Sequence, residues 1–201
     1  MKRTDVFLSA GTLGIALVAV VVVAATGNTG EFVAWAWGRH HNVLSWYVRP
    51  LFLLPFCYFA YRRSLLGMTL TLIALATSIF WFPAPAELST AVNEMLGAET
   101  EYLTSNWTLW KVLIALLVPA TFAALGLAFW KRSLVYGLAV INAAILFKIA
   151  WTFLFGTEAG AMSHLPAAVV GIVVCDALIL YVMHRLRARP SEPPRPAGHH
   201  G

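Results

Sequence analysis

Long apolar runs separated by short polar or basic segments dominate the hydrophobic pattern of this chain. Six stretches approach or exceed the roughly 20 residues that an α-helix needs to cross a bilayer. They cover residues 6–26, 43–61, 64–82, 109–130, 133–155 and 164–184. The pattern predicts an all-α integral membrane protein, built as a bundle of six transmembrane helices in one polytopic domain, residues 1–186. The proline-rich tail, residues 187–201, has little to bury and is expected to be disordered.

The first apolar stretch shares features with a secretory signal peptide. It begins with Lys2 and Arg3, and the small residues of AATGNTG follow it. Its apolar centre exceeds the roughly 7–15 residues of a signal peptide, which favours an uncleaved transmembrane helix. Cleavage after this stretch stays the alternative.

The second outer loop contains the segment AELSTAVNEMLGAETEYL, which is typical of a short amphipathic helix. One face carries the apolar residues Leu88, Val92, Met95, Leu96 and Leu103. Another face carries glutamates seven residues apart, at Glu87, Glu94 and Glu101, with Glu99 nearby. Such a helix either lies along the outer membrane surface or folds over the mouth of the bundle.

Composition supports the membrane assignment. Of the 201 residues, 60% are hydrophobic and only 11% are charged, and the mean hydropathy is +0.75. A soluble domain has about a quarter of its residues charged. The formal charge of +5 does not indicate nucleic-acid binding, because the basic residues form short clusters between apolar runs.

The basic residues also predict the orientation. One side of the six-helix bundle carries ten of them: Lys2, Arg3, Arg62, Arg63, Lys131, Arg132, Arg185, Arg187, Arg189 and Arg195. The other side carries Arg39, with Lys111 at a helix mouth. Lysine and arginine are enriched in cytoplasmic loops, so both termini are expected in the cytoplasm, and we expect a bacterial cytoplasmic membrane.

The two short cytoplasmic turns read YRRS and WKRS, at residues 61–64 and 130–133. In each turn a serine, Ser64 or Ser133, is well placed to cap the following helix. The likeness of the two segments raises the hypothesis of a duplicated helix hairpin. The alternative is that any tight cytoplasmic turn favours two basic residues and a cap.

Four polar residues inside the apolar stretches are candidates for function, because such groups are costly in a membrane. At 1.5 Å per residue, Arg49 and Lys148 lie roughly 9 Å and 10 Å from the outer surface, which places both cations at one level. By the same rise Asp176 lies roughly 18 Å deep, and Asn142 falls at a similar depth. These residues predict an outward-facing polar pocket. Glu94, Glu101 and Glu158 are candidate carboxylates for it.

Structural explanations compete for each of these residues. Long side chains such as Arg49 and Lys148 reach the membrane surface by extending along the helix. Pro50 is also a candidate first residue of a straight helix, which would place Arg49 in its cap. For Asp176 the structural alternative is a hydrogen bond to Asn142 or to a hydroxyl on a neighbouring helix.

Recognisable catalytic, nucleotide-binding and metal-binding spacings do not occur in the sequence, so no cofactor and no metal are expected. Cys57 and Cys175 lie in apolar runs as small buried residues. The first hypothesis is therefore binding or transport of a small anion or lipid head group. The second is an accessory or scaffold subunit of a larger membrane complex, and a membrane-embedded enzyme is weakest because no nucleophile–base pair stands out. The expected partners are membrane lipids. Further copies of this chain, or the subunits of a larger membrane complex, are also expected partners.

Overall fold

The computed structural model describes residues 3–25, 29–155 and 158–188, and the regular structure in these ranges is helical throughout. The helices are α1 (Arg3–Ala25), α2 (Thr29–His40), α3 (Val43–Leu51), α4 (Leu53–Tyr61), α5 (Leu65–Thr77), α6 (Thr90–Thr104), α7 (Leu109–Trp130), α8 (Leu134–Phe155) and α9 (Glu158–Arg187). The predicted tail lies outside the described residues from position 189 onward.

Five helical segments are long and apolar enough to cross a membrane, which supports the predicted multi-pass membrane protein. They are Arg3–Val21, Val43–Tyr61, Leu109–Trp130, Leu134–Trp151 and Leu165–Arg185. The predicted third span is shorter: α5 and a following 3₁₀ turn cover Leu65–Phe80. At its end, the hydroxyls of Thr77 and Ser78 donate to the carbonyls of Ala74 and Leu75. Such bonds compete with the helical ladder, and here the last turn tightens to 3₁₀ geometry.

The second span is interrupted at Phe52, between α3 and α4. Pro55 explains the interruption, because it has no N–H for the carbonyl of Leu51 and its ring clashes with that carbonyl. Arg49 and Pro50 both lie inside α3. The alternative that placed Arg49 in a helix cap is therefore wrong.

Two outer connections differ from the sequence prediction. The first outer loop contains α2, a helix of twelve residues that the apolar pattern did not predict. The last outer loop, predicted over residues 156–163, is helical from Glu158, because α9 extends well beyond the apolar stretch. The amphipathic helix is confirmed as α6, and it begins at Thr90 because the side chain of Ser89 caps the amide of Val92.

The start of α1, the α4–α5 turn, the α7–α8 turn and the end of α9 meet at one end of the bundle, named here the basic end. Asp5 of α1 accepts a 2.8 Å hydrogen bond from the amide of Leu65 at the start of α5. Arg63 in the first turn donates to the carbonyl of Trp130 at 3.3 Å, and Arg132 in the second turn stacks on the ring of Tyr61.

Both turns at the basic end share one backbone geometry. Arg63 and Arg132 have φ values of 57° and 58°, the left-handed conformation that ends many helices. The amides of Ser64 and Ser133 bond back to the carbonyls of Phe59 and Ala128. Ser64 also caps α5 through its side chain, as predicted.

Two apolar clusters hold the helices together. The larger lies toward the basic end and contains Phe56, Cys57, Ala60, Leu125, Phe129, Ile141, Ile179 and Met183. The smaller joins α3, α6 and α9 and contains Trp46, Val92, Leu96 and Ala167. The smaller cluster marks the opposite end of the bundle, named here the α6 end, where the candidate site lies.

Candidate functional site

The outer helix α6 packs onto the bundle. Val92 and Leu96 of its apolar face are buried against Trp46 of α3 and Ala167 of α9. The sequence left two positions open for this helix, on the membrane surface or over the mouth of the bundle. The packing on α3 and α9 supports the second position. It also brings the carboxylate of Glu99, on α6, to the junction between α2 and α3.

At this junction Arg49 forms a connected polar network. Its Nη2 atom lies 2.9 Å from Nδ1 of His40 and 2.9 Å from the hydroxyl oxygen of Ser45. The Ser45 hydroxyl in turn donates to the carbonyl of Asn42 at 2.7 Å. On the other side of the imidazole, Nε2 of His40 lies 3.4 Å from the Glu99 carboxylate. The network therefore runs from α3 through the end of α2 to α6.

The geometry of this network fixes the proton of His40. A guanidinium nitrogen is always a donor, so Nδ1 of His40 must accept the hydrogen bond from Arg49. The imidazole proton then lies on Nε2 and points toward Glu99. Both hydrogens on the Nη2 atom of Arg49 are used, one by His40 and one by Ser45.

Aromatic residues hold His40 in place. The ring of Trp37, one turn earlier on α2, stacks on the imidazole with centroids 4.9 Å apart and an angle of 15°. The indole N–H of Trp46 donates to the backbone carbonyl of His40 at 3.4 Å. The position of the imidazole is thus set by packing as well as by its polar partners.

Arg49 keeps hydrogen-bond donors beyond this network. Its Nε atom is buried and has no hydrogen-bond partner among the described residues. Two other cations near the α6 end are engaged more fully: Arg39 donates to the carbonyl of Phe82 and stacks on a tryptophan, and Lys111 donates to both oxygens of Ser105. Among these three cations, the geometry singles out Arg49 for binding an acceptor group.

A cleft of about 360 Å³ opens beside the network, on the same α2–α3 junction. Its lining includes His41, Asn42, Leu88, Ser89 and Val92. Nε2 of His41 is buried without a hydrogen-bond partner among the described residues. Burial is the main cause that lowers the pKa of His41, neighbouring His40 adds to the lowering, and Glu99 opposes it.

A second polar contact lies deeper in the bundle. The side-chain nitrogen of Asn142 on α8 donates to Oδ2 of Asp176 on α9 at 2.9 Å, and to the carbonyl of Leu138 at 2.8 Å. Oδ1 of Asp176 is buried and has no hydrogen-bond partner among the described residues. The structural alternative for Asp176, a hydrogen bond to Asn142, is therefore present, and it satisfies one of the two carboxylate oxygens.

Chain neighbours of the two polar centres meet where α3 packs against α9. The thiol of Cys175 donates to the carbonyl of Pro50 at 3.3 Å. Pro50 follows Arg49 in the chain, and Cys175 precedes Asp176. Gly171, one turn earlier on α9, lies directly against the ring of Pro50.

The other predicted site residues are Lys148, Glu94, Glu101 and Glu158. Lys148 has an exposed side chain on α8, and Glu94 and Glu101 have exposed side chains on α6. The side chain of Glu158 lies outside the described part of the structure. Among the described residues, Glu99 is a carboxylate that contacts the arginine network.

Sequence reasoning missed three members of the network: His40, Ser45 and Glu99. Ser45 precedes Arg49 by four residues, so the helical spacing alone could have paired them. His40 and Glu99 are separated by 59 residues, and their contact depends on how α6 docks. In the described residues, no group of three or more His, Cys, Asp or Glu side chains comes together as metal ligands.

Searches for related proteins found no matching family model, no similar curated protein and no similar solved structure. The functional argument therefore depends on the geometry of this chain.

Proposed function

We propose that this protein crosses the membrane six times and binds a small anion or lipid head group at Arg49, from the side opposite the cytoplasm. The start of α1 and the end of α9 lie at the same end of the bundle, which requires an even number of crossings. Five long segments and α5 together make six. With its 3₁₀ turn, α5 is roughly 25 Å long, and a bilayer accommodates such a short span by thinning locally.

The basic end carries Arg62, Arg63, Lys131, Arg132, Arg185 and Arg187, so it belongs on the cytoplasmic side by the distribution of positive charge. The α6 end then faces outward, with the Arg49 network near the membrane surface. Cysteines introduced at Arg62 and at Thr90 test this orientation with an impermeant maleimide in intact cells. We expect labelling at position 90 only.

The binding proposal depends on the unused hydrogen-bond donors of the Arg49 guanidinium. Of its five N–H groups, the two on Nη2 are used within the protein, and the buried Nε–H has no partner among the described residues. A buried donor without an acceptor is costly, whereas one oxygen of an anion would satisfy it. Carboxylates and phosphates both supply such an oxygen, and both form charge-assisted hydrogen bonds with a guanidinium.

The surroundings support a ligand with an apolar part as well as a charge. Trp46, Val92 and Leu96 form an apolar patch beside the network. The adjoining cleft, of about 360 Å³, is of a size that accepts a small molecule or part of a lipid. A lipid phosphate and a free organic anion share this chemistry, so the experiment must separate them.

The decisive experiment is native mass spectrometry of the protein extracted gently with its lipids. Arg49→Gln is compared with wild type and with Arg39→Gln, a matched change at the same end of the bundle. We expect wild type and Arg39→Gln to retain an anionic species that Arg49→Gln loses. A retained mass that matches a membrane phospholipid would identify the ligand as a lipid. A smaller mass would identify it as a soluble anion.

Two outcomes would overturn the proposal. The first is equal retention of the same anion by wild type and Arg49→Gln, which would place the binding site elsewhere. The second is that all three proteins travel with one larger protein partner and without an anion. That result would support the accessory-subunit hypothesis.

A further inference from the structure

We infer that Asn142 and Asp176 form a proton-binding site in the middle of the bundle, with the proton on Oδ1 of Asp176. This site is separate from the arginine network, and it does not depend on the anion proposal. Asp176 is the twelfth residue of the segment Leu165–Arg185, so it lies near the centre of that segment. A carboxyl group at this depth is far from the water at either surface.

The orientation of Asn142 is fixed by two acceptors. Its side-chain nitrogen lies within hydrogen-bond distance of both the Leu138 carbonyl and Oδ2 of Asp176. The NH₂ group therefore faces both oxygens and uses both of its hydrogens. Oδ2 of Asp176 receives a hydrogen bond from a neutral amide, and it acts as the carbonyl oxygen of the acid.

The second oxygen of Asp176 decides the protonation state. Oδ1 is buried and has no hydrogen-bond partner among the described residues. An ionised carboxylate in this position would have its charge supported by one neutral hydrogen bond. A charge in an apolar environment costs much more than a neutral hydroxyl group with an incomplete hydrogen-bond set. The neutral acid, with the proton on Oδ1, is therefore the stable form.

A proton fits this position better than a metal cation. Hard cations require several oxygen ligands, six to eight for calcium, at distances of about 2.3–2.6 Å. Among the described residues, Oδ1 of Asp176 is a buried carboxylate oxygen without a hydrogen-bond partner. A proton needs one oxygen only, so the pair already supplies what it requires.

Other ionisable groups occur on the elements that pack against α9. Cys175 is next to Asp176 in the chain, Cys57 lies on α4, Arg49 lies on α3 and Lys148 lies on α8. Arg49 directs Nη2 to His40 and Ser45, and Cys175 directs its thiol to Pro50. The Asp176 carboxyl itself accepts a hydrogen bond from the side chain of Asn142.

Infrared spectroscopy of the full-length protein in lipid vesicles tests the proposal directly. A protonated carboxylic acid has a carbonyl stretching band that the ionised form lacks. We expect the spectrum of wild type minus Asp176→Asn to contain this band at neutral pH. Asp176→Asn is nearly isosteric, so folding should be preserved. Asp5→Asn is the matched control, because it replaces a carboxyl group that accepts hydrogen bonds from two amides and a hydroxyl at the basic end, and it should keep the band assigned to Asp176.

The band also responds to pH and to the Asn142 donor. We expect its intensity to fall as the pH is raised, by about tenfold per unit once most of the acid is ionised. Asn142→Leu removes the hydrogen bond that supports the ionised form, so the band should persist to higher pH in that variant. A band of unchanged intensity when sodium ions are added at constant pH would agree with a proton site.

Three results would overturn the inference. Absence of the acid band at neutral pH in the Asp176→Asn difference spectrum would show that Asp176 is ionised. A band removed by sodium at constant pH would show that a cation competes for the same oxygen. A band present in wild type and equally present in Asp176→Asn would belong to another carboxyl group. These infrared measurements report on Asp176 and not on Arg49, so they can be interpreted even if no anion binds at Arg49.

Discussion

Arg49 donates to Nδ1 of His40 at 2.9 Å, and this single contact determines where the histidine proton lies. Because Nδ1 must accept, the proton is on Nε2, where Glu99 of α6 lies 3.4 Å away. The arginine in the second span is thereby connected to a carboxylate in an outer helix. A cation inside an apolar segment is tolerated here because a polar network surrounds one side of it.

His40→Ala should destabilise the protein by about 1–3 kcal/mol, because it leaves one N–H group of Arg49 without an acceptor in a half-buried position. The thiols of Cys57 and Cys175 are 2% and 0% exposed, so their alkylation during heating reports unfolding. We expect the alkylation midpoint of His40→Ala to fall relative to wild type. His184→Ala, an exposed histidine at the basic end, should leave the midpoint unchanged. Equal midpoints for the two variants would contradict the role given to His40.

Glu99→Gln should strengthen the binding of an anion at Arg49. The substitution removes a negative charge that competes with the ligand, while the amide oxygen can still accept from His40. For a partly exposed pair the effect should be about 1 kcal/mol, or about fivefold in affinity at low salt. Glu101→Gln changes an exposed glutamate on the same helix and should have little effect. Titration of both variants with the anion identified by mass spectrometry checks the prediction.

Weaker binding by Glu99→Gln would require another explanation. In that case the charge of Glu99 would be holding His40, and through it Arg49, in the binding position. The affinity of Glu101→Gln would again serve as the reference.

Much of the fold could be predicted from the sequence, because apolar length is a strong signal. Residues 109–130 were predicted as a span and form α7 with the same bounds. The helix α2 was missed because its twelve residues mix aromatic, charged and small side chains without a long apolar run. The break at Phe52 was missed because two prolines so close together allow several helix boundaries.

The candidate site could be predicted only in part. Arg49 and the Asn142–Asp176 pair were recognised because polar groups are rare in apolar stretches. The carboxylate that contacts His40 was not, because Glu94 and Glu101 share the seven-residue pattern and Glu99 lies outside it. Which face of α6 packs inward depends on Trp46 and Ala167, two residues distant in the chain.

Stability should fall as the pH drops below about 6.5, and His41 should contribute to that fall. Its pKa in the folded protein is lowered from 6.5, mainly by burial. Between the folded and unfolded pKa values the unfolded chain binds the proton and the folded protein does not, so acid favours unfolding. Above 6.5 the group is neutral in both states and this effect disappears.

The variant His41→Gln isolates this effect, because glutamine does not bind a proton in this range. We expect the pH dependence of its unfolding free energy, followed by far-UV circular dichroism, to be weaker by at most about 1.4 kcal/mol per pH unit. His184→Gln replaces an exposed histidine and should keep the wild-type dependence. Identical pH profiles for wild type and His41→Gln would show that His41 does not cause the loss of stability at low pH.

Gly171→Ala should loosen the contact between α9 and Pro50 of α3. A Cβ atom at position 171 would lie 3.2 Å from Cβ and 3.4 Å from Cγ of Pro50, and the proline ring is held by its own backbone. The two helices must then separate by a few tenths of an ångström, which also lengthens the bond from the Cys175 thiol to the Pro50 carbonyl. Overpacking of this kind costs about 1–3 kcal/mol, offset in part by the better helix propensity of alanine.

Gly14→Ala is the matched comparison, because a Cβ atom at position 14 of α1 meets nothing within 4 Å. That variant gains the helix propensity of alanine, up to about 1 kcal/mol, without a steric cost. We therefore expect Gly171→Ala to unfold at a lower temperature than Gly14→Ala in the thiol alkylation assay. If the two variants unfold together, α9 and α3 can separate without cost, and the contact of Gly171 with Pro50 does not limit stability.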